Sequence, residues 1–460
     1  MPAGRVVVDP ARGAAVDVLR AVTDRGAYAN LLLPSLLAER RIAGRDADFA
    51  TELTYGTLRV RGTLDAVIEA CAGRPLAAVD PPVLDLLRLG AYQILYLRTP
   101  DYAAVSATVD DAKSRVGARV GGFVNAVLRR VAGQDLAGWV AEIGPPYDAD
   151  PVGQLALRHA HPEWVVAAFR EALGGDLAET AAALAADNER PLVHLAARPG
   201  RITRDELVTE AGGEPGPWSP YAVRLPQGDP GKLPAIRRGL AHVQDEGSQV
   251  VALALAAVPL DRPSGPGGPD RPGETWLDLC AGPGGKAALL GALAAPRGAR
   301  LLAVERNPRR TGLVAGAVRG LPVLAVTADG LAAPVRPGSV DRVLVDAPCT
   351  GLGALRRRPE ARWRRQPADI PALTRLQRGL LTAALAAVRP GGVVAYVTCS
   401  PHVAETRAVV AEVLHRSGGE QLDARPYLPP DLPDLGPGPA VQLWPHRHGT
   451  DAMFLALLRR

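Results

Sequence analysis

Two cysteines stand where a thiol could carry out chemistry. Cys349 lies in the segment Asp-Ala-Pro-Cys-Thr-Gly and Cys399 in the segment Thr-Cys-Ser-Pro, and each segment directly follows a short apolar run. A lone cysteine is most often an inert, small apolar residue. Two cysteines beside prolines, each at the end of an apolar run, instead indicate a reactive site in which a thiolate acts as a nucleophile.

The cysteines show no spacing typical of a metal site. They are Cys71, Cys280, Cys349 and Cys399, and no two of them form a C-x-x-C pair. Closely spaced pairs are the usual sign of zinc sites, and regular even sets indicate disulfide frameworks. We therefore expect free thiols, no bound metal and a reducing compartment.

A glycine-rich turn lies on the N-terminal side of Cys349 and Cys399 in the sequence. Its residues are Cys280, Ala281, Gly282, Pro283, Gly284, Gly285 and Lys286. Glycines let a backbone approach a ligand, and the start of a helix favours an anionic group. The turn lacks the dinucleotide pattern G-x-G-x-x-G, and Ala287 stands where a Walker loop needs Ser or Thr. Lys286 is one of three lysines among 53 basic residues, which suits a site that cannot accept a guanidinium group.

Two carboxylates follow the next two apolar runs. Glu305 is placed to accept both ribose hydroxyls of a nucleoside, and Asp329 could accept from an adenine amino group. Either carboxylate alone is more often the solvated end of a strand. The glycine-rich turn and the two carboxylates, in register after consecutive strands, together favour an adenosine-containing ligand.

Five short apolar runs must position these residues. They read WLDLC, LLAVE, VLAVTAD, VDRVLVDAP and GGVVAYVTCS, and they alternate with helical stretches. Buried strands that alternate with helices predict a doubly wound parallel sheet, whose ligands bind at the carboxyl ends of the strands. The fourth and fifth strands should be neighbours, so Cys349 and Cys399 should face one cleft.

The rest of the chain divides into further segments. Residues 1–138 show helical periodicity alone, and Ile143–Pro146 reads as a break before a small α+β linker domain over 145–238. The catalytic domain should cover 239–460, and the low-complexity stretch 261–273 should form a flexible loop. The periodic segments of the first domain are Ala15–Val22, Leu31–Leu37, Phe49–Leu58, Val83–Leu97 and Phe123–Val131. Those of the second are helices Glu163–Leu173 and Leu177–Ala186 and strands Leu192–Ala197 and Ala222–Leu225.

Charge and composition give only broad information on the class of protein and its cellular location. The chain of 460 residues is 47% hydrophobic and 22% charged, which is usual for globular proteins, and its net charge is +5. Its start lacks a signal-peptide layout and its longest apolar run is too short for a membrane helix, so we expect a cytoplasmic protein without a membrane partner. A basic run is equally compatible with a solvated loop and with RNA contacts. Its arginines are Arg356, Arg357, Arg358, Arg362, Arg364 and Arg365.

Three segments together resemble a known family. CAGPGGK, DAPC and TCS stand at 280–286, 346–349 and 398–400, as in the RNA cytosine-5 methyltransferases of the Nol1/Nop2/Sun group. The resemblance implies a Rossmann-like class I methyltransferase domain that binds S-adenosyl-L-methionine. It also implies that Cys399 attacks carbon 6 of the cytosine and that Cys349 helps to release the product. Residues 280–286, Glu305, Asp329 and Asp346 would line the cofactor site, with Asp346 also near the target base.

The reaction explains these residue types. Carbon 5 of cytosine is a poor nucleophile until a thiolate adds to carbon 6, after which carbon 5 can attack an electrophilic methyl group. A free thiol has a pKa of about 8.5, so nearby positive charge must favour the thiolate. Lys286 and the arginine run could supply this charge.

The N-terminal segments resemble a second family. Arg45-Asp46, Glu52–Gly56, Leu87–Gln93 and Phe123–Arg129 are similar to the NusB-type helical RNA-binding domain. A NusB-like domain fused to this catalytic domain resembles the bacterial Sun/Fmu/RsmB group, which implies 16S ribosomal RNA as substrate. We also expect a monomer.

Other functions fit less well. A zinc nucleobase deaminase needs H-x-E and P-C-x-x-C, and Pro348-Cys349 here continues Thr-Gly-Leu. A non-catalytic RNA-binding or antitermination factor would explain residues 1–138 but not the two cysteines. Among methyltransferases, one that acts on transfer RNA or on another ribosomal RNA site is the alternative.

Overall fold

The computed structural model describes residues 9–226, 228–261 and 273–460. The helices are α1 Pro10–Arg25, α2 Ala29–Glu39, α3 Arg45–Arg59, α4 Arg61–Ala72, α5 Pro81–Leu95, α6 Asp101–Arg115, α7 Gly121–Val131, α8 Leu136–Ile143, α9 Pro151–His159, α10 Glu163–Ala172, α11 Leu177–Ala186, α12 Arg204–Ala211, α13 Pro234–Arg237, α14 Glu246–Ala257, α15 Gly285–Ala294, α16 Pro308–Ala317, α17 Ala361–Arg364, α18 Ile370–Ala387, α19 Arg407–Ser417 and α20 Pro445–His448. The strands are β1 Val193–Ala197, β2 Glu214–Pro215, β3 Ala222–Leu225, β4 Ala241–Val243, β5 Thr275–Asp278, β6 Arg300–Glu305, β7 Val323–Thr327, β8 Val340–Asp346, β9 Val388–Thr398, β10 Glu420–Leu422, β11 Val441–Gln442 and β12 Phe454–Arg459.

The first compact unit is helical. It comprises the chain up to Glu189 and, from much later in the sequence, Leu355–Arg365. Helices α1 to α11 and α17 belong to it, which agrees with the helical periodicity of the N-terminal sequence. Helix α1 shows the expected end signals, since the Asp9 carboxylate accepts from the backbone N–H of Arg12 and Gly26 ends the helix in a left-handed conformation.

The predicted linker domain over 145–238 is not a unit of its own. Helices α9 to α11 belong to the helical unit, whereas β1 to β4 belong to the second unit, which begins at Arg190. The helices and strands predicted within this stretch do form, as α10, α11, β1 and β3. The boundary is wrong because Ile143–Pro146 separates two helices, α8 and α9, that pack in one unit.

The second unit contains two sheets. The smaller is antiparallel, with strand order β2-β3-β1-β4. The larger has the order β10-β12-β9-β8-β5-β6-β7, and its strands β5 to β9 run parallel. Strand β12 joins antiparallel to β9, and β11 pairs with β12. The five predicted strands are thus confirmed as a parallel sheet, and β5 lies at the point where the strand order reverses, which is where such sheets bind ligands.

Helices cover both faces of the larger sheet. Trp276 of β5 packs in one apolar core with residues of α14 and α15, and the next residue, Leu277, packs in another with residues of α18 and α19. Successive side chains of a strand point to opposite faces of the sheet. Because helices cover both faces, Trp276 and Leu277 are both buried. This arrangement is the predicted doubly wound fold. Of the predicted flexible loop, residues 262–272 lie outside the described part of the chain.

Candidate active site

The ends of β8 and β9 bring the two predicted cysteines together. The strands pair in parallel, with Asp346 opposite Val397, so the residues that follow them leave the sheet at the same edge. The Sγ atoms of Cys349 and Cys399 lie 3.5 Å apart, and both side chains are partly exposed. The prediction that the ends of neighbouring strands bring these two thiols together is therefore confirmed.

The two thiols differ in their electrostatics. A hydrogen bond from Cys349 holds the pKa of Cys399 below its ordinary value, although burial opposes this, and the charge of Lys286 contributes in the same direction. The same hydrogen bond, together with burial, raises the pKa of Cys349. Cys399 is therefore the residue favoured as thiolate, and Cys349 the residue favoured as protonated donor.

Lys286 connects the glycine-rich turn with Asp346 at the end of β8. Its Nζ atom lies 2.8 Å from Oδ2 of Asp346, and its side chain is only 12% exposed. Burial opposes the positive charge, but Asp346 outweighs burial and holds the pKa of Lys286 above its ordinary value. The charged form of Lys286 is thus favoured, and its support of a thiolate at Cys399 stays a prediction.

Gly353 fixes the backbone that carries Cys399. Its N–H donates to the Cys399 carbonyl at 2.8 Å, and its own carbonyl accepts from the N–H of Ala452 at 2.8 Å. A Cβ atom at this position would lie 2.0 Å from the Ala452 carbonyl oxygen, so only glycine allows the approach. Ala452 lies between α20 and β12, in the segment that connects the paired strands β11 and β12.

The glycine-rich turn packs closely against Glu305. A Cβ atom on Gly282 would lie 2.1 Å from Oε2 of Glu305. The Gly282 carbonyl accepts from Nη2 of Arg310 at 2.6 Å, and Nη1 of Arg310 lies 3.4 Å from Oε2 of Glu305. Glu305 is only 6% exposed at the end of β6, and its Oε1 accepts from the N–H of Asn307.

Asp278 is a site residue that the sequence reasoning missed. It ends β5 and is fully buried; its Oδ1 accepts from the N–H of Cys280, whereas its Oδ2 has no hydrogen-bond partner among the described residues. Burial, with repulsion from Asp346, raises the pKa of Asp278 to about 7. The signal was its position two residues before the glycine-rich turn, at the carboxyl end of the first strand. An unsatisfied buried oxygen at the carboxyl end of β5 fits a polar cofactor.

Cys280 and Asp329 are two further residues that were predicted to line the cofactor site. Burial, with repulsion from Asp278 and Asp346, raises the pKa of Cys280, so this thiol stays protonated and is suited to lining the cofactor site. Asp329 is exposed just beyond the end of β7, and its Oδ1 accepts from the N–H of Leu331. Its contact with adenine stays a prediction.

The arginine run is mostly part of the helical unit's packing. Arg362 is fully buried: its Nη1 donates to the Arg59 carbonyl and to Oδ1 of Asn188, both at 2.7 Å, and its Nη2 donates to the Asp187 carbonyl at 2.8 Å. Burial lowers the pKa of Arg362 to about 10. The prediction that Arg362 contacts RNA is therefore wrong, because its guanidinium is enclosed by protein.

The other arginines of the run differ in exposure. Arg356 is 7% exposed, which also argues against a phosphate contact, and Arg364 donates to the Ala27 carbonyl. Arg357 and Arg365 are partly exposed and Arg358 is exposed. The net charge of a run could not distinguish these settings, because it contains no information on burial.

Replacing Arg362 with alanine should strongly destabilise the helical unit. The change leaves several buried acceptors without a donor, each worth about 1–3 kcal/mol, so we expect the free energy of unfolding to fall by about 3 kcal/mol or more. Arg358→Ala in the same run is the matched control and should change it by less than about 0.5 kcal/mol. Denaturant titrations of the full chain would measure both, and equal stabilities would contradict the anchoring role.

The described residues contain no group of three or more histidine, cysteine or acidic side chains arranged to hold a metal ion. Within the same ranges, no helix combines the length and apolar character needed to cross a bilayer.

The strand order, the switch point at β5 and the glycine-rich turn together define a class I methyltransferase domain, joined to a helical unit. A family model described as 16S rRNA methyltransferase RsmB/F matches residues 269–459, and a NusB family model matches residues 9–133.

Relatives cover nearly the whole chain. A Mycobacterium tuberculosis protein, to which methyltransferase activity is provisionally ascribed, is 58% identical over 98% of this chain and 97% of its own length. Ribosomal RNA small subunit methyltransferase B of Cronobacter sakazakii is 32% identical over 90% of this chain and 91% of its own. The chain therefore belongs to the RsmB/F family of 16S rRNA methyltransferases, and S-adenosylmethionine is its cofactor.

Solved structures share the fold. The crystal structure of PH0851 superposes with a TM-score of 0.79 at 23% identity, covering 98% of this chain and 99% of that one. A methyltransferase homolog from Pyrococcus horikoshii gives a TM-score of 0.53 at 23% identity, covering 68% of this chain and 99% of that one.

Proposed function

We propose that this enzyme methylates carbon 5 of a cytosine in 16S ribosomal RNA through a covalent bond between Cys399 and carbon 6. The observation that carries the proposal is the contact between two thiols of opposite electrostatic character, 3.5 Å apart. Covalent activation of a pyrimidine needs one thiolate and one proton-bearing group nearby, and the pair supplies both.

The chain's own residues would carry out the attack on the cytosine and assist the release of the product. The Cys399 thiolate adds to carbon 6, which makes carbon 5 nucleophilic, and Lys286 stabilises the thiolate before attack. S-adenosylmethionine supplies an electrophilic methyl group to carbon 5. Solvent water then accepts the proton of carbon 5, the electrons of the broken carbon–hydrogen bond restore the ring double bond, and the carbon–sulfur bond breaks to return the thiolate to Cys399. Cys349 assists this last stage, since its sulfur touches that of Cys399.

The buried carboxylates suit the cofactor. Glu305 would accept the ribose hydroxyls, and the unsatisfied oxygen of Asp278 would face a polar or cationic part of the cofactor. Asp346 forms an ion pair with Lys286, and its carboxylate would lie near both the cofactor and the target base. Because Gly282 has no side chain, the backbone of the glycine-rich turn lies close to Glu305.

The relatives support ribosomal RNA as the substrate. The Cronobacter sakazakii relative is named for the small ribosomal subunit, and the NusB family model covers the N-terminal helices. We propose that the helical unit contributes to RNA recognition, with phosphate contacts from Arg357, Arg358 and Arg365, and that the reaction takes place in the cytoplasm. A cytosine in transfer RNA or at another ribosomal site is the alternative substrate.

The product tests the proposal directly. Purified enzyme would be incubated with labelled S-adenosylmethionine and 16S ribosomal RNA, and the RNA would be digested to nucleosides. We expect the label in 5-methylcytidine, with transfer RNA and 23S ribosomal RNA as substrate controls. Label in another nucleoside would contradict the carbon 5 assignment, and label only in a control RNA would contradict the substrate assignment.

Replacing Glu305 with alanine should weaken cofactor binding while leaving RNA affinity nearly unchanged. A hydrogen bond to a charged group contributes about 1.5–3 kcal/mol, so affinity for S-adenosylmethionine should fall roughly tenfold or more. Calorimetric titration would measure this, with Glu412→Ala on the partly exposed face of α19 as control. Equal cofactor affinities in the two variants would contradict the ribose contact.

A further inference from the structure

Glu405 is a fully buried carboxylate six residues after Cys399. It ends a short 3-10 turn, Val403–Glu405, between β9 and α19. Its Oε1 accepts from the N–H of Thr350 at 2.8 Å, and its Oε2 accepts from the hydroxyl of Ser400 at 2.7 Å and from the hydroxyl of Thr350. A buried carboxylate is costly unless its oxygens are hydrogen-bonded, and these donors satisfy both oxygens.

The positions of the donors connect Glu405 with both thiols. Thr350 directly follows Cys349, and Ser400 directly follows Cys399. The two hydroxyls also lie 3.0 Å apart. One carboxylate therefore holds the residue after each cysteine, on loops that leave two different strands.

Other elements hold Glu405 itself in place. The Tyr396 hydroxyl, from β9, donates to the Glu405 backbone carbonyl at 2.7 Å. The amide of Gln377, from α18, donates to Oε1 of Glu405 at 3.1 Å and to the Pro348 carbonyl at 2.9 Å. Because a strand and a helix both anchor this network, the loop that carries Cys349 is restrained from two sides.

The charge of Glu405 also affects Cys349, by favouring the protonated form of its thiol. The pKa of Cys349 is raised chiefly by its hydrogen bond to Cys399 and by burial, and the negative charge of Glu405 adds to this shift. Cys349 therefore keeps its proton and can donate a hydrogen bond to the Cys399 thiolate.

We propose that Glu405 is a positioning residue that holds the Cys349 and Cys399 loops so that their thiols meet. This role rests on the proposed function for what the two thiols do. Glu405 touches neither substrate nor cofactor in this account and acts only through Thr350 and Ser400. Its effect should thus appear in the reaction rate and in thiol reactivity, with cofactor binding unaffected.

The test compares Glu405→Ala, Glu405→Gln and Glu412→Ala. Alanine removes every acceptor, and a misplacement of about 1 Å can cost about 100-fold in rate, so kcat for Glu405→Ala should fall about 100-fold. Its KM for S-adenosylmethionine should stay within about twofold of wild type. Glutamine keeps an oxygen for the Thr350 N–H and offers an amide to hydroxyls that can accept, so we expect kcat within about tenfold of wild type. Glu412→Ala, on the same segment of chain, should match wild type.

A second measurement does not depend on the RNA product. The rate of Cys399 alkylation by iodoacetamide, followed by peptide mass spectrometry, should fall at least fivefold in Glu405→Ala and recover in Glu405→Gln. If Glu405→Ala does not fold, Thr350→Val and Ser400→Ala each remove one hydroxyl donor and should each lower both rates, more weakly.

The outcomes separate the two proposals. Wild-type kcat and alkylation rate in Glu405→Ala would overturn the positioning role, as would wild-type rates in both hydroxyl variants if Glu405→Ala does not fold. An increase in KM for the cofactor with unchanged kcat would also overturn it. If the wild-type enzyme methylates RNA at an atom other than carbon 5, the proposed function fails, whereas the comparison of kcat and alkylation among variants still tests Glu405.

Discussion

Replacing Cys399 with alanine should abolish methyl transfer while leaving cofactor and RNA binding almost unchanged. Cys399 is the thiol with the lowered pKa, because Cys349 donates a hydrogen bond to it and Lys286 adds positive charge nearby. Without this nucleophile, carbon 5 is not activated, so we expect kcat to fall at least about 1,000-fold. The substitution removes a single sulfur atom at a partly exposed position, so the fold should persist.

Single-turnover transfer of labelled methyl groups would measure this effect. Calorimetric titration with S-adenosylmethionine and filter binding of RNA would show whether the variant still binds both. Cys71→Ala is the matched control, because Cys71 is a buried thiol within the apolar core of the helical unit. If Cys399→Ala kept more than about a tenth of wild-type kcat, Cys399 would not be the nucleophile.

Replacing Cys349 with alanine should have a different effect, the accumulation of a protein–RNA adduct. In the proposed mechanism Cys349 acts after methyl transfer, so its loss slows the release of RNA more than the attack. Attack should also slow, by roughly tenfold, because Cys399 loses a hydrogen bond worth about 1.5 kcal/mol. We therefore expect slow turnover and most of the enzyme bound covalently to RNA at steady state.

Denaturing gel electrophoresis with labelled RNA would detect this adduct. Wild-type enzyme should show only a faint retarded band, and the double variant Cys349→Ala/Cys399→Ala should show none. A Cys349→Ala enzyme with wild-type turnover and no band would remove Cys349 from product release.

The positions of candidate site residues could be predicted from the sequence in cases where residue type and strand order together determine them. Cys349 and Cys399 follow neighbouring parallel strands, so their contact could be expected once those strands were recognised. Glu305 was predicted for the same reason, since it ends a strand next to the one before the glycine-rich turn. Buried strands with polar ends are a local signal, and a parallel sheet brings such ends to one edge.

Residues that act through tertiary packing were not predictable in this way. Glu405 is placed by a turn whose contacts with Thr350 and Gln377 join three separate segments of chain. Arg362 was misjudged because a run of arginines indicates charge, whereas its burial depends on Asp187 and Asn188, about 175 residues earlier. The domain boundary failed similarly, because Pro and Gly mark breaks between helices as well as breaks between domains.

The measurement that tests the central claim most directly identifies the cysteine bonded to RNA. The adduct of the Cys349→Ala variant would be digested with nuclease and protease, and the modified peptide would be sequenced by mass spectrometry. The account predicts a methylated cytosine nucleotide on Cys399 and no adduct from Cys399→Ala. An adduct of Cys399→Ala with the nucleotide on Cys349 would mean that the roles are reversed. Adducts from neither variant, with methyl transfer retained in both, would contradict covalent catalysis.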